Sequence, residues 1–197
     1  MTLLNEAAKR RSCYGLTDKI PVSAQEVVAL VQEAVKQTPS AFNSQSARVV
    51  VLLEKKHKLF WQLVAEALKK VVPPENFSAT QDKINSFAAA YGTLLFFEDW
   101  ATVENLQQKF PAYKENFPLW AYQSNGMLEY LIWTVFAQQN IGASLQHYNP
   151  LVDEAVRREF EVPATWKLLA QMPFGMPNGP VADKTYLPLD KRVVVKD

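Results

Sequence analysis

A stripe of apolar residues at helical spacing occupies residues 27–35 of the chain. The stripe consists of Val27, Leu30, Val31, Ala34 and Val35. Ser23 and Glu26 precede it at the spacing of a capping box, in which each side chain satisfies the other residue's backbone N–H. Pro39 follows it, and a proline cannot donate an interior helical hydrogen bond. The pattern predicts a helix that begins after Ser23 and ends near Thr38.

Short runs of aliphatic and aromatic residues predict the strands. Such runs occupy residues 48–53, 91–97 and 166–172. The second run is apolar almost throughout, which is typical of a central strand covered on both faces. Residues 143–146 predict a further short strand, and Arg-Val-Val-Val-Lys at residues 192–196 predicts a last one in the tail.

Longer periodic segments predict further helices. They lie at residues 2–11, 58–72, 77–90 and 150–160. Residues 124–140 predict the longest helix, and it is hydrophobic on nearly every face. A helix of this kind should be buried all round, either in the core or at a subunit interface.

Two segments break the periodicity. Residues 100–123 are rich in aromatic residues and contain Pro111 and Pro118, which predicts an excursion of short helices. This excursion is a candidate for core filling, a dimer contact or a pocket wall. Residues 173–180 are rich in Pro and Gly and predict a loop. Because helices outnumber short strands, the chain as a whole predicts an α+β fold with a small central sheet.

Composition narrows the class of protein. A chain of 197 residues with 48% hydrophobic residues suits one domain, or one protomer that a partner completes. Its net charge of +1 provides no global field for nucleic acid or an acidic membrane. No run approaches the roughly 18 apolar residues of a membrane span. These features predict a soluble protein with neither nucleic acid nor membrane as a partner.

Cysteine and histidine usage limits the chemistry. Cys13 is the single cysteine, which excludes an internal disulfide and indicates a reducing compartment, the cytoplasm. His57 and His147 lie far apart in sequence, so no metal site is predicted. Cys13 follows Arg10 and Arg11, so either the two charges lower its thiol pKa or it is simply a small buried residue.

A polar segment separates the first long helix from the first long strand. We call residues 39–45 (PSAFNSQ) the amide loop. Its Ser40, Asn43, Ser44 and Gln45 are hydrogen-bonding residues held between two rigid elements, which suits a planar ligand with polar edges. The alternative interpretation is a capped connection with Asx and Ser turns.

The N-terminal motif Arg10-Arg11-Ser12 offers two planar, forked donors and a hydroxyl, a chemical match to a phosphate monoester. Alone, it is equally compatible with a solvated basic turn. The chain has no GxGxxG, Walker A, GxSxG or HExxH motif. A chain without an evident nucleophile, base or metal site can borrow its chemistry from a cofactor.

Four motifs in order resemble the nitroreductase superfamily of FMN-dependent oxidoreductases. They are Arg10-Arg11-Ser12, the amide loop, residues 142–149 (GASLQHYN), and residues 172–175 (MPFG) followed by Lys184. Within the superfamily, the chain resembles the group named for a fungal fatty-acid-repression mutant protein. The similarity spans residues 1–197 as a single domain. It implies a central, mostly antiparallel sheet flanked by helices, in an intertwined homodimer with FMN at the interface.

The resemblance assigns the phosphate end of FMN to both ends of the chain. By position, Arg10 and Ser12 would bind the phosphate, with Arg11 beside them and Lys184 as a second contact. No side chain of this chain is expected to be catalytic in itself, because FMN would carry the chemistry.

The resemblance assigns the flavin ring to two other segments. In the amide loop, the predicted contact residues are Ser40, Ala41, Asn43 and Gln45. Asn43 and Gln45 would face the ring and its pyrimidine edge from the chain other than the one that holds the phosphate. Gln146 and His147 would lie beside the redox-active nitrogen, through backbone groups.

Two positions depart from the superfamily pattern. Tyr186 stands where a basic residue often follows Lys184, and either Arg192 in the tail replaces that residue or nothing does. Tyr14 stands where many relatives have a flavin-contacting lysine. Because negative charge grows on the pyrimidine side of a reduced flavin, a missing cation should shift the redox potential. Arg48 is a candidate to compensate.

The activity implied is ping-pong reduction of a nitroaromatic, quinone or similar small aromatic acceptor, with NADH or NADPH as the reductant. A pocket between subunits near Phe42 and Trp120 would accept flat aromatic molecules. A flavin- or lipid-binding regulatory protein with little turnover is the alternative. A structural interaction protein, with residues 127–136 as its dimer seam, is the third hypothesis.

Overall fold

An antiparallel sheet organises the chain, as seen in a computed structural model that describes residues 2–181 and 183–196. The strands are β1 (Leu16–Thr17), β2 (Ala47–Leu53), β3 (Gly92–Asp99), β4 (Gly142–Ala143) and β5 (Trp166–Pro177). The helices are α1 (Leu3–Lys9), α2 (Ala24–Gln37), α3 (Glu54–Lys69), α4 (Phe77–Ala88), α5 (Trp100–Lys109), α6 (Asn116–Gln138) and α7 (Asp153–Glu159).

The strand order is β1-β5-β3-β2, and β4 pairs with β5 beside this path. All of the named strand pairs are antiparallel. The ladder sets Ala47 of β2 opposite Glu98 of β3, and Glu98 opposite Lys167 of β5. At the other end of the sheet, Gly92 pairs with Phe174. The α+β class with a mostly antiparallel sheet is therefore confirmed.

The central strand β3 separates two hydrophobic cores. Its side chains alternate between the faces of the sheet, as strand geometry requires. Leu94 and Phe96 pack in the core that α2 and α6 cover, and Leu95 and Phe97 pack in the core that α3, α4 and α7 cover. These four side chains are between 0 and 1% exposed, so each contributes about 1.5–3 kcal/mol by burial.

The predicted capping box is present at α2. Ser23 Oγ accepts a hydrogen bond from the backbone N–H of Glu26 at 3.2 Å, and the Ser23 N–H donates to Glu26 Oε2 at 2.7 Å. The helix ends at Thr38, whose N–H still donates to the Ala34 carbonyl at 3.0 Å. The amide loop therefore begins where the sequence pattern places it.

The aromatic excursion is more helical than predicted. Residues 100–109 form α5, and α6 begins at Asn116 instead of residue 124. Pro118 lies in the first turn of α6, where the backbone N–H groups have no intrahelical acceptor, so the proline costs no hydrogen bond there.

Within one chain, the prediction that the long apolar helix, now α6, is buried on all faces is wrong. Its large apolar residues at the surface are between 38 and 54% exposed and comprise Leu119, Tyr122, Met127 and Tyr130. The subunit-interface half of the prediction stays a hypothesis. No helix in the part of the chain that the structure describes has the length and apolarity needed to cross a membrane.

Two predictions for the C-terminal region are wrong. Residues 173–177 continue β5 instead of forming a loop. Pro173 is tolerated because its carbonyl accepts from Ser144 at 3.3 Å, so its missing N–H faces the short β4 and not β3. In the tail, residues 193–196 form no strand, and the three valines there are between 65 and 77% exposed. A strand needs a paired neighbour, and no sheet edge of the described chain pairs with the tail.

Candidate functional site

A cavity of about 450 Å³ brings the two ends of the chain together. The N-terminal motif lines it with Arg10, Arg11 and Ser12, and the C-terminal segment lines it with Asp183 and Lys184. The motif follows directly after α1 and is anchored to the sheet, because the Cys13 N–H donates to the Ala143 carbonyl at 2.9 Å. The structure thus unites residues that the sequence separates widely.

Positive charge concentrates at this cavity. The pKa of Lys184 is lowered, first by partial desolvation and then by the charges of Arg10 and Arg11. Arg10, Arg11 and Lys184 all line this cavity, so their charges lie near one another. Asp183 is the one carboxylate among the residues that line the cavity in the described chain. A ligand with two negative charges would relieve the mutual repulsion of these three cations.

Arg10 is held in place by α6. Its guanidinium carbon lies 4.3 Å from the centroid of the Trp133 ring, which is cation–π distance. Trp133 is fixed in turn, because its Nε1–H donates to the Ala143 carbonyl at 3.1 Å. The Nε of Arg10 is buried and has no hydrogen-bond acceptor among the described residues. A buried donor without an acceptor is costly, so it indicates a ligand that accepts hydrogen bonds.

The amide loop has an unusual backbone. Phe42, Asn43 and Gln45 all have positive φ, at 55°, 52° and 49°. Asparagine tolerates this left-handed region, but phenylalanine and glutamine rarely adopt it. Strained backbone of this kind clusters at functional sites. The side chains of Asn43 and Gln45 are exposed, so their amide groups are open to a ligand.

Hydrogen bonds inside the loop close it on itself. The Gln45 N–H donates to Ser40 Oγ at 2.9 Å, and the Asn43 N–H donates to the Ser40 carbonyl at 3.0 Å. The Ser44 N–H donates to the Ala41 carbonyl at 3.1 Å. Ser40 therefore acts within the loop, as the turn interpretation expects, while Asn43 and Gln45 point their side chains outward.

The segment that contains Gln146 and His147 is fixed to β5. Gln146 and Gln171 exchange backbone hydrogen bonds of 2.7 and 2.9 Å. The Gln171 side chain accepts from the Tyr148 N–H at 2.7 Å and donates to Asn149 Oδ1 at 3.3 Å. Gln146 is buried and its side-chain amide donates to Ser144, whereas His147 is exposed. Both backbone groups of Gln146 are thus paired with β5, and the flavin contact that the resemblance implies for Gln146 and His147 stays a prediction.

The aromatic excursion packs on the amide loop. The ring of Phe42 lies 4.8 to 6.1 Å, centroid to centroid, from four rings, those of Phe110, Tyr113, Phe117 and Trp120. A cavity of about 340 Å³ adjoins this cluster, and Ala41, Phe42 and Trp120 are among the residues that line it. Phe42 and Trp120 therefore belong to one apolar wall.

Within one chain, the two groups of predicted residues lie at opposite ends of the sheet. The amide loop leads into Ala47, which is level with Glu98 and Lys167. Ser12 bridges Ala143, which is level with Phe174. Lys167 and Phe174 are seven residues apart on β5. At about 3.3 Å per residue, this separates the two groups by roughly 20 Å or more.

The sequence model of the nitroreductase family matches residues 7–176 of this chain. The chain belongs to the nitroreductase family. The nitroreductase FRM2 of Saccharomyces cerevisiae is 34% identical over 186 residues, which cover 93% of this chain and 92% of FRM2. The resemblance to the superfamily and to its fungal group is thereby confirmed. Family membership supports oxidoreductase activity on nitro compounds.

Solved nitroreductase structures share this fold. The nitroreductase CinD from Lactococcus lactis, in complex with chloramphenicol, is 38% identical, with a TM-score of 0.91 and full coverage of both chains. A nitroreductase with bound FMN from Desulfitobacterium hafniense has a TM-score of 0.70 and covers 98% of this chain and 97% of its own. At 18% identity, the latter shows the fold alone.

Other predicted residues of this nitroreductase lie apart from the cationic cavity or have a different environment. Arg192 is exposed in the tail and does not line the cavity. Tyr14 lines it and is 58% exposed, and Tyr186 is 74% exposed. The pKa of the Cys13 thiol is raised by burial, which outweighs the neighbouring arginine charges. A lowered thiol pKa is therefore wrong, and the description of a small buried residue fits.

Three supporting residues were missed in the sequence. Trp133 carried no signal, because it is one aromatic residue in an apolar helix. Gln171 did carry one, because a side-chain amide interrupts an otherwise apolar strand run. Asp99 is the last residue of the buried strand β3 and pairs with Arg48 at 3.0 Å. The described residues contain no group of three or more His, Cys, Asp or Glu placed to hold a metal ion.

Proposed function

We propose that this nitroreductase-family chain is an FMN-dependent NAD(P)H oxidoreductase of one domain. Its acceptors would be nitroaromatics, quinones or similar small aromatic molecules, reduced in a ping-pong cycle. The observation that carries the proposal is the convergence of Arg10, Arg11 and Lys184 on one cavity, with the buried Arg10 Nε lacking an acceptor. A nitroreductase of the same fold has bound FMN.

The residues at the cavity fit a flavin phosphate. A phosphate monoester carries close to two negative charges at neutral pH and accepts several hydrogen bonds. Arg10 would donate through its unpaired Nε, Ser12 through its hydroxyl, and Arg11 and Lys184 would supply charge. Once bound, FMN supplies the redox chemistry between the nicotinamide and the acceptor. The chain itself binds, orients and shields that cofactor.

The ring would be held by the amide loop and by the segment at β5. Asn43 and Gln45 present exposed amides that match the alternating donors and acceptors of a pyrimidine edge. Gln146 and His147 would lie beside the redox-active nitrogen, with the backbone N–H and carbonyl of Gln146 already paired with Gln171. Arg48 is already paired with Asp99, so it does not offer a free cation to replace the lysine absent at Tyr14.

The site would be completed between two copies of the chain. The phosphate-side and ring-side groups lie at opposite ends of one sheet, so a single chain does not bring them together. Two surfaces suit a partner: the exposed apolar residues of α6 and the valines of the tail. Exposed apolar surface of this extent is typical of a subunit interface. We therefore propose an intertwined homodimer with a shared flavin site.

The acceptor would lie against the wall formed by Phe42 and Trp120. Flat aromatic rings pack well on such a surface. CinD, which is 38% identical, was solved with chloramphenicol and with 4-nitrophenol, both nitroaromatic compounds. No dinucleotide motif separates NADH from NADPH as the reductant. The single, buried Cys13 supports a reducing compartment, the cytoplasm.

An absorption spectrum of the purified protein tests the proposal. We expect a flavin band that NADPH bleaches and that a nitroaromatic restores. Replacing Arg10 and Ser12 together with alanine removes the phosphate donors and should lower FMN affinity by at least about a hundredfold. Arg158→Ala, on the exposed face of α7, is the matched control and should leave affinity unchanged.

The outcomes separate the competing functions. Wild-type protein that takes up no FMN would contradict the proposal. A bound flavin that NAD(P)H does not reduce would favour the flavin-binding regulator. Retention of full FMN affinity by the double variant would show that the cationic cavity is not the phosphate site.

A further inference from the structure

The amide loop needs a restraint from outside itself. Its positive φ values at Phe42, Asn43 and Gln45 are unfavourable for L-residues, so the free loop would prefer other conformations. The bonds from Ser40 close the loop but do not tie it to the sheet. Phe42 anchors the middle of the loop by packing on Phe117 and Trp120 of α6, but this contact does not restrain the exit of the loop at Gln45.

Arg48, in the second position of β2, supplies that connection. Its Nη1 donates to the Gln45 carbonyl at 2.6 Å and to the Ala47 carbonyl at 3.0 Å. Its Nη2 donates to Asp99 Oδ2 at 3.0 Å. One guanidinium thus joins the peptide group of Gln45 to the end of β3. A lysine has no planar fork and cannot make both contacts in this geometry.

Asp99 holds the exit of the loop at two successive peptide groups. It fixes Gln45 through Arg48, and its own backbone N–H donates to the Ser46 carbonyl at 2.9 Å. The side chain of Asp99 is 16% exposed and that of Arg48 is 30% exposed, so solvent screens the ion pair only in part.

We propose that Arg48 and Asp99 are positioning residues that hold the amide loop in its flavin-facing conformation. The inference rests on the proposed function and assigns these two residues to the ring side of the site. Arg48 acts here through geometry, because its charge is paired with Asp99. Loss of the pair should weaken binding of the flavin ring and leave the phosphate contacts unchanged.

Riboflavin and FMN distinguish the two sides of the site, because riboflavin has the same ring and no phosphate. Arg48→Met keeps the aliphatic stem and removes the fork. It should weaken both flavins equally, by about tenfold. Arg10→Ala should weaken FMN far more than riboflavin. Lys56→Met removes a more exposed ion pair away from the loop, with Glu159 at 3.3 Å, and should change neither affinity.

Two further variants separate positioning from charge. Asp99→Asn keeps the shape of the side chain and removes the ion pair, so it should match Arg48→Met. Arg48→Lys keeps the charge without the fork. If Arg48 acts by position, lysine fails to rescue riboflavin affinity. If Arg48 acts as a cation beside the flavin, lysine restores both the affinity and the reduction potential, which would overturn the proposal.

Amide hydrogen exchange tests the same pair in cofactor-free protein. Exchange at Ser44 and Gln45 should accelerate by about tenfold in Arg48→Met and stay unchanged in Lys56→Met. Unaltered exchange together with unaltered riboflavin affinity would reject the positioning role. If wild-type protein binds neither flavin, the proposed function fails, while the exchange measurement still reports on the ion pair.

Discussion

His57 is a buried residue whose two ring nitrogens have different partners. Thr93 Oγ1 accepts from Trp61 Nε1 at 2.9 Å and lies 2.9 Å from His57 Nδ1, to which it donates when the imidazole is neutral. His57 Nε2 then carries the ring proton and donates to the Ala88 carbonyl at 3.2 Å. This chain of hydrogen bonds joins α3, β3 and α4 and accommodates the neutral imidazole that burial favours.

Burial lowers the pKa of His57 from its ordinary 6.5 to about 4. Between pH 6.5 and about pH 4, His57 therefore binds a proton in the unfolded chain and stays neutral in the folded chain. The contribution of neutral His57 to the free energy of unfolding is fully present above pH 6.5. It decreases as the pH falls toward 4, by about 3 kcal/mol in total. We expect the advantage of wild type over His57→Gln, measured by urea unfolding, to shrink across this range.

Stability must be compared between wild type and His57→Gln, because the titration of Glu129 changes the stability of the fold with pH in the opposite direction. Burial raises its pKa to about 7, so the folded state gains stability as the pH falls from 7 toward its ordinary value. Both proteins share this contribution, and it cancels in the difference. A difference that stays constant from pH 7 to pH 4 would show that His57 is not held neutral.

At the scale of elements, local signals were sufficient where local chemistry decides the structure. The capping box of Ser23 and Glu26 and the proline after Thr38 fixed the start and end of α2. The apolar run that became β3 was recognised because both faces of that strand are covered. Because these features depend on residues that are neighbours in sequence, they can be predicted from the sequence.

Non-local pairing decided the elements that were missed. Whether Pro173 ends or continues a strand depends on which neighbour its absent N–H faces, and only the sheet shows that it faces β4. The candidate functional site also depends on contacts between residues that are distant in sequence. Arg10 and Lys184 lie at opposite ends of the chain, and their convergence follows from the fold. The chemistry of the motif at residues 10–12 singled out Arg10 as a candidate, and the resemblance supplied Lys184.

Gln171 provides a test at this scale, because its side chain links β5 to the segment at residues 146–149. Gln171→Leu leaves the Tyr148 N–H without its acceptor in a buried setting. We expect a loss of about 1–3 kcal/mol in the free energy of unfolding, measured with urea. Gln138→Leu, on the exposed end of α6, is the control and should change it by less than about 0.5 kcal/mol. Equal effects of the two changes would contradict a positioning role for Gln171.

At the scale of the whole molecule, sheet geometry separates the groups that a flavin would need to contact together. Arg10, Ser12 and Lys184 gather near one end, and Asn43 and Gln45 lie near the other. A two-fold dimer resolves this separation, because it places the end of one chain against the opposite end of its copy. The proposed dimer would contain two equivalent sites, and every site would draw its phosphate side and its ring side from different chains.

Complementation between two defective variants tests this arrangement directly. One variant carries Arg10→Ala and Ser12→Ala, and the other carries Asn43→Ala and Gln45→Ala, so neither homodimer should bind FMN well. In a mixed dimer, one site combines both defects and the other site is intact. Random pairing of equal amounts should therefore restore flavin binding to about a quarter of all sites.

Co-expression with two different affinity tags allows the mixed dimers to be isolated, and flavin absorbance per dimer gives the occupancy. Purified mixed dimers should hold one FMN each, whereas either defective homodimer should hold almost none. Mixed dimers that form and remain colourless would place each site within one chain, and a monomer in sedimentation would remove the shared site altogether. If each site lay within one chain, mixed dimers could not regain FMN binding, because each chain carries a defect on one side of the cofactor.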